Sequence, residues 1–356
     1  MAHSAAGSED ARRFARQVGI DFGAALTVAL AYIADRLGIF QALADGGALT
    51  SEQLASRTGL NERYIREWLA TMAAANYVDY AAGAHAFSLN PAQRTVLLDQ
   101  RSPLNMAGGF QYAIACIRQL PALTEAFRHG GGVRFADFGE EISDAIRRMF
   151  QPGYEQWVAA EWIPALPEIH QRLRTGGEAA EVGCGSGQCL IPVARSFPNS
   201  RFVGYDLDPA SLARARKRID EEGIANRVRC EQVAAEAIPE RDYFDLVMAF
   251  NCIHDMANPR GALHAICQAL KPEGAMLWSE AKASDRLEDN LNSWGRSMYG
   301  ASTMHCMTVS LATGGEGLGS VIGPGLAREL AREAGFTRFA ALPVDNQFHQ
   351  IFVLRK

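Results

Sequence analysis

The sequence predicts an α/β protein in which a mostly helical N-terminal part precedes a parallel sheet covered by helices on both faces. Three observations carry this reading. Strands and helices alternate from Gly176 onward, a glycine-rich turn joins the first of those strands to its helix, and the first hundred residues run helix, turn, helix, hairpin.

At 356 residues the chain exceeds one average domain, and a hydrophobic content of 48% against 21% charged residues describes a chain with a large core. The net charge of −5 gives no general attraction to phosphate backbones. Most basic residues are arginine, the first lysine being Lys217, which reads as a composition bias without mechanistic content. Seven cysteines, an odd number, with no CxxC or Cys/His pair at zinc spacing, read as reduced thiols, and no metal site is expected. The apolar stretch Gly23 to Ala34 is too short to span a bilayer, and no basic leader with a cleavage site precedes it. A cytoplasmic protein without a membrane anchor is the expectation.

Residues 1 to about 20 are polar and read as a mobile or partner-swapped arm. Leu26, Leu30, Ile33 and Leu37 mark an apolar helix between Asp21 and Leu43. Thr50 and Gln53 have capping-box spacing for a short helix ending before Gly59, and Asn61 can cap a second from Glu62 to about Ala75. Tyr77 to Tyr80 and Ala86 to Leu89 then form a hairpin wing, completing a winged-helix module. A DNA reader needs a basic face, whereas residues 1 to 100 hold 8 Arg and no Lys against 10 acids. Dimerisation is therefore the favoured role, and nucleic-acid binding the disfavoured one.

Three regions are expected: an arm and winged helix over residues 1–100, a helical connector or lid over 101–174, and a sheet domain over 175–356. The connector should be interrupted at Pro103, Pro121, Gly130 to Gly132 and Pro152-Gly153. Tyr154, Trp157, Val158 and Glu161 share a helical stripe that serves either the core or a wall facing cofactor and substrate. In the sheet domain, strands are expected at 179–182, 201–205, 228–233, 244–250 and 275–279, with helices at 188–196, 209–222 and 259–270. Residues 338–343 and 349–354 should pair as an antiparallel edge.

Gly183, Gly185 and Gly187 follow the first sheet strand at intervals of two, unlike the GxGxxG spacing of dinucleotide folds. Asp206 ends the next strand, where an acid can accept hydrogen bonds from ribose hydroxyls, with Leu207 beside it. Glu181, just before the first glycine, suits a ligand with a cationic amino-acid tail better than a pyrophosphate.

With this pattern, residues 176–280 resemble class I S-adenosylmethionine-dependent methyltransferases, whose first motif is ExGxGxG. The whole chain resembles winged-helix-containing small-molecule methyltransferases of the actinobacterial type. The resemblance implies a Rossmann-like sheet, S-adenosylmethionine as cofactor and S-adenosylhomocysteine as product. It implies that Ala234 and Ala235 lie by the adenine, Ala234 replacing an acid common in that class, and that Asn251 faces the methionine part. Cys252 to Met256 is similar to the HDW segment of small-molecule O-methyltransferases, with methionine in place of tryptophan. On that likeness His254 is a general base with Glu280, or alternatively Asp255, as its partner; the other reading is that His254 and Asp255 organise a turn.

A long insert at about 281–323 carries Trp294, Met298, Tyr299, Met304, His305 and Met307 and is either a substrate wall or part of the core. Tyr154, Trp157, Trp294, Tyr299 and His305 are the candidate substrate contacts. The resulting expectation is a homodimeric methyltransferase of secondary metabolism acting on a small molecule, most readily at oxygen. Two rivals stand: a cofactor-sensing transcription regulator, and an enzyme using the same site without methyl transfer.

Overall fold

The structure, a computed structural model, describes residues 2–356, with side chains from Ser8 onward. The chain divides into two compact units, Met1–Ile114 and Ala115–Lys356. Residues 101–114 thus pack with the first unit, where Phe110 joins its core and Met106 donates its N–H to the Val96 carbonyl at 2.8 Å.

The first unit opens with α1 (Ala2–Leu37), a single helix where an arm was expected over residues 1–20. Gly38, at φ 68°, breaks it from α2 (Ile39–Gly46), so the expected helix through Leu43 is two helices. Nor does α1 pack all round: Phe14, Val18, Phe22, Leu26, Ile33 and Leu37 are exposed at steps of four and seven residues, along one face. The stretch Ser8–Leu37 is long and apolar enough to cross a membrane by length and composition, unlike the shorter Gly23 to Ala34 run. Both expected caps form, on α3 (Ser51–Thr58) by the Thr50–Gln53 box and on α4 (Glu62–Ala74) by Asn61. The wing pairs β1 (Asp79–Ala81) antiparallel with β2 (Ala86–Ser88). The module closes with α5 (Pro91–Leu97), and α6 (Ala107–Ile117) contains the unit boundary.

In the second unit α7 (Leu120–His129) carries Pro121 in its first turn rather than being broken by it, as suits a residue without an N–H there. The next helix, α8 (Glu140–Trp157), runs through Pro152-Gly153, where an interruption was expected. A Cβ on Gly153 would stand 2.5 Å from the Trp157 ring, so the glycine makes room for that indole. A π-helical turn over Val158–Trp162 then rotates the stripe, burying Trp162 and leaving Glu161 exposed, before α9 (Pro167–Thr175).

Seven strands form the sheet: β3 (Glu178–Val182), β4 (Arg201–Asp206), β5 (Val228–Gln232), β6 (Phe244–Phe250), β7 (Leu270–Ala281), β8 (Arg338–Ala341) and β9 (His349–Arg355). Their order is β5-β4-β3-β6-β7-β9-β8, parallel through β7 and antiparallel for β9 and β8. Alternate residues feed two cores. Met248, Phe250 and Leu277 face α8, α9, α10 (Leu190–Ser196) and α11 (Pro209–Glu221), while Val247, Ala249 and Trp278 face α12 (Pro259–Ala269) and α15 (Pro324–Glu333). Between β7 and α15 the insert folds as α13 (Ser293–Ala301), a second π-helical turn over Ser302–Cys306, and α14 (Met307–Ala312). Strand order reverses between β3 and β6, which places the ligand crevice of such a sheet outside their carboxyl ends.

Candidate active site

The turn leaving β3 supplies the first wall of that crevice. Gly183 and Gly187 have φ of 69° and 76°, a region that disfavours a side chain, and a Cβ on Gly183 would lie 2.7 Å from Cys252. Gly183 and Cys184 donate N–H bonds to the Tyr205 carbonyl at 2.8 and 3.1 Å, and Gly185 donates to Asp206 Oδ2 at 2.8 Å. Asp206 Oδ1 accepts from the Asp208 N–H at 2.9 Å, so this carboxylate ties the glycine turn to the end of β4. Burial pushes Asp206 up, against these backbone bonds. Beside it Leu207 is 63% exposed, and Gln232 donates to its carbonyl.

Glu181 is buried under the same turn. The Leu190 backbone at the start of α10 hydrogen-bonds it, its Oε2 has no hydrogen-bond partner, and burial holds its carboxyl well above the usual range. A buried carboxylate oxygen facing no donor suits a cationic group. Past β5, Ala234 is half-buried and Ala235 buried at the start of a short 3₁₀ turn, offering methyl groups and backbone.

At the end of β6, Asn251 takes φ 51° while its N–H donates to the Ser279 carbonyl at 2.8 Å. Its Nδ2 donates to the Tyr154 hydroxyl at 2.9 Å and lies 3.5 Å from His349 Nδ1. His349, singled out by no motif, sits within 5.9 to 6.4 Å of the Phe150, Tyr154, Trp157 and Trp162 rings. Burial pushes it down to about 4, so it is neutral at physiological pH. Burial also raises the Tyr154 hydroxyl well above its ordinary value.

Immediately after Asn251, the turn Ile253–Asp255 carries His254, 3% exposed. Its Nδ1 hydrogen-bonds Glu280 Oε2 on β7, and Trp278 Nε1 donates to Glu280 Oε1 at 2.7 Å. Burial acts to lower the His254 value, but the Glu280 carboxylate and the neighbouring Cys306 outweigh it and hold it well above 6.5. Asp255 is pushed up to about 7 by burial, with His254 pulling it down. The insert clamps this turn: Ser310 Oγ donates to the Met256 carbonyl at 2.8 Å and the Gly319 N–H to the His254 carbonyl at 3.3 Å. From the second π turn, His305 packs edge-on against Phe135 and Phe138 and is pushed down to about 3 by burial, with His254 acting in the same direction.

Two sets of candidates therefore meet at the carboxyl ends of the strands: Glu181, the three glycines and Asp206, and Tyr154 with Asn251, His254 and Glu280. Trp157 stacks on Trp162 with centroids 6.2 Å apart. Trp294 instead donates to the Lys282 carbonyl at 2.9 Å and packs on Phe348, and the Tyr299 hydroxyl accepts from Asn290 at 3.4 Å, so these two brace the insert itself. Among the described residues no three of His, Cys, Asp or Glu converge as a metal site.

Residues 180–276 match a family model described as a methyltransferase domain, and residues 24–100 one described as an Rv2258c-like winged HTH domain. Isonocardicin synthase of Nocardia uniformis subsp. tsuyamanensis is 35% identical over 121 residues, 33% of this chain and 38% of that protein. The chain thus spans well under half the length of that relative. The mitomycin 7-O-methyltransferase MmcR has the same fold with a TM-score of 0.70 at 20% identity, covering 98% of this chain and 99% of that one. Human N-acetylserotonin methyltransferase, solved with S-adenosylmethionine, gives 0.70 at 17% identity, covering 96% and 97%. The chain thus resembles a methyltransferase domain over residues 180–276 and an Rv2258c-like winged helix-turn-helix domain over residues 24–100, with the fold of these solved methyltransferases.

Proposed function

We propose that the chain is an S-adenosylmethionine-dependent methyltransferase that methylates an oxygen of a small molecule. The observation that carries this is the buried His254–Glu280 pair, set at the same strand ends as a glycine turn with an unsatisfied carboxylate beneath it. S-adenosylmethionine supplies, when bound, an electrophilic methyl group on a sulfonium. Glu181 would hold its ammonium, Asp206 its ribose hydroxyls beside Leu207, Ala234 and Ala235 its adenine, and Asn251 its methionine part. His254 accepts the proton of the acceptor hydroxyl at Nε2 while Glu280 holds Nδ1–H and stabilises the imidazolium. Tyr154, Trp157 and His305 form the wall that excludes water and orients the acceptor, with Trp294 and Tyr299 supporting the insert. S-adenosylhomocysteine released in equal amount with a methylated product tests the reading; cofactor turnover without methylation favours the non-methylating alternative.

The first unit serves assembly as a homodimer in the cytoplasm, and the apolar stripe of α1 supports a second copy of this chain as its cover. On α4, Arg63 pairs with Glu67 at 2.6 Å and Arg66 with Glu62 at 2.7 Å, which leaves its arginines committed to their own helix and supports no nucleic-acid role.

A further inference from the structure

Under the glycine turn lies a pair of thiols that methyl transfer does not use. Cys184, between Gly183 and Gly185, is fully buried, and Cys230 lies 6% exposed on β5, the edge strand of the sheet. Gly204 on β4 stands between them. It is in register with Cys230, and a Cβ there would come 2.6 Å from Cys184 Sγ. The missing side chain lets the Cys184 sulfur settle on β4 one strand from Cys230, where its thiol donates to the Gly185 carbonyl at 3.8 Å. Arg216 of α11 donates Nε and Nη2 to the Cys230 carbonyl at 3.2 and 2.8 Å, bringing a guanidinium beside the same residue.

The surroundings divide the roles. The Cys184 thiol, first, and then the Arg216 charge lower the Cys230 thiol below its ordinary value, against burial. Cys184 moves the other way, raised by the neighbouring Cys230 and by burial. The Arg216 guanidinium beside Cys230, on the edge strand, gives Cys230 the nucleophile's role and leaves Cys184 as the resolving thiol.

We propose that Cys184 and Cys230 form an oxidisable dithiol, closed to a disulfide by hydrogen peroxide, and that closure disables the glycine turn. The Cys230 thiolate attacks one peroxide oxygen; an S–O bond forms, the O–O bond breaks, and the departing oxygen leaves as water after protonation. Cys184 then loses its proton and attacks the sulfenic sulfur; the S–S bond forms as the S–O bond breaks, releasing a second water. The dithiol gives up two electrons and two hydrogens, and the peroxide is reduced to two waters. A disulfide holds its sulfurs about 2.05 Å apart, far closer than two unlinked thiols in contact. Cys184 is tied through its own N–H to Tyr205 and flanked by the Gly185–Asp206 bond, so drawing its sulfur toward β5 pulls on the turn. This last consequence rests on the cofactor reading above; the crosslink does not.

The test treats the full-length reduced protein, and the Cys230→Ser and Cys230→Ala variants, with hydrogen peroxide. Intact mass and non-reducing peptide maps read the link, and S-adenosylmethionine titration before and after reads the turn. The inference expects a Cys184–Cys230 link in the unsubstituted protein, an affinity loss of about tenfold or more, reversal by dithiothreitol, and neither effect in the variants. It is overturned by the absence of that link, or by a link that leaves affinity unchanged. Absence of S-adenosylmethionine binding in the reduced protein would instead sink the proposed function, with the peptide map still deciding the dithiol.

Discussion

His254 Nδ1 and Glu280 Oε2 are hydrogen-bonded in a buried pocket, although 26 residues separate them in sequence. The second Glu280 oxygen is held by Trp278 Nε1, so the carboxylate cannot turn away from the imidazole. With Nδ1 engaged by Glu280, Nε2 is the nitrogen that takes a proton in the proposed reaction once the imidazole is neutral. His254→Ala should lower turnover by about 10² to 10⁴ while leaving cofactor affinity nearly intact. Turnover on a hydroxyl acceptor within threefold of the unsubstituted enzyme would remove the base role.

The pH dependence has a definite sign. The His254 value stands well above 6.5, against burial and because of Glu280 and Cys306, so the imidazole is charged until the pH passes that raised value. The rate should therefore rise with pH through a window above 6.5. The stability contributed by the pair runs the opposite way: it is complete below 6.5 and lost as pH climbs through the folded value. Glu280→Gln removes the carboxylate charge and should move the acid limb of kcat/KM to lower pH. An unmoved limb in that variant would show that another group sets it.

The cofactor end couples to protons as well. Burial keeps Glu181 well above 4.5, favouring its neutral form, and a cationic amino-acid tail would favour the ionised one. Binding of S-adenosylmethionine should release a proton, so affinity should increase as pH rises from 4.5 toward that raised value. Calorimetry in buffers of different ionisation enthalpy checks this, and Glu181→Gln should abolish the release. In the same titration, Asp206→Ala should cost about 1 to 3 kcal/mol of affinity, the range for a lost hydrogen bond to a charged group.

The glycine turn and the helix caps were legible because their signals are local. The glycine spacing, the acid ending β4 and the Thr50 and Asn61 caps each depend on residues a few positions apart. His349 was not legible, since only the β7–β9 register, pairing it with Ala281, carries it to Asn251. Neither π-helical turn has a sequence mark, which is why Glu161 was placed on a stripe that Trp162 occupies. The continuity of α8 through Pro152 was hidden for a related reason: packing around Trp157 overrides the local preference to break. On α1, polarity of the first residues suggested an arm, but Phe14 and Val18 extend the same stripe as Phe22 and Leu26.

That stripe gives the assembly prediction. Phe22→Glu with Leu26→Glu should convert a dimer to a monomer by light scattering, because each charge would be buried against the partner helix. The unsubstituted dimer should be insensitive to salt, since apolar contact is not screened. A monomeric unsubstituted protein, or a doubly substituted one still dimeric, would refute the role of this face.

The most direct measurement follows the methyl group itself. S-adenosylmethionine with a deuterated methyl is supplied with a panel of small hydroxylated acceptors, and the products are read by mass spectrometry. The account predicts a labelled methyl on an acceptor oxygen, one equivalent of S-adenosylhomocysteine, and loss of both in His254→Ala. Cofactor consumed with no label in any product, or label transferred equally well without His254, would contradict it.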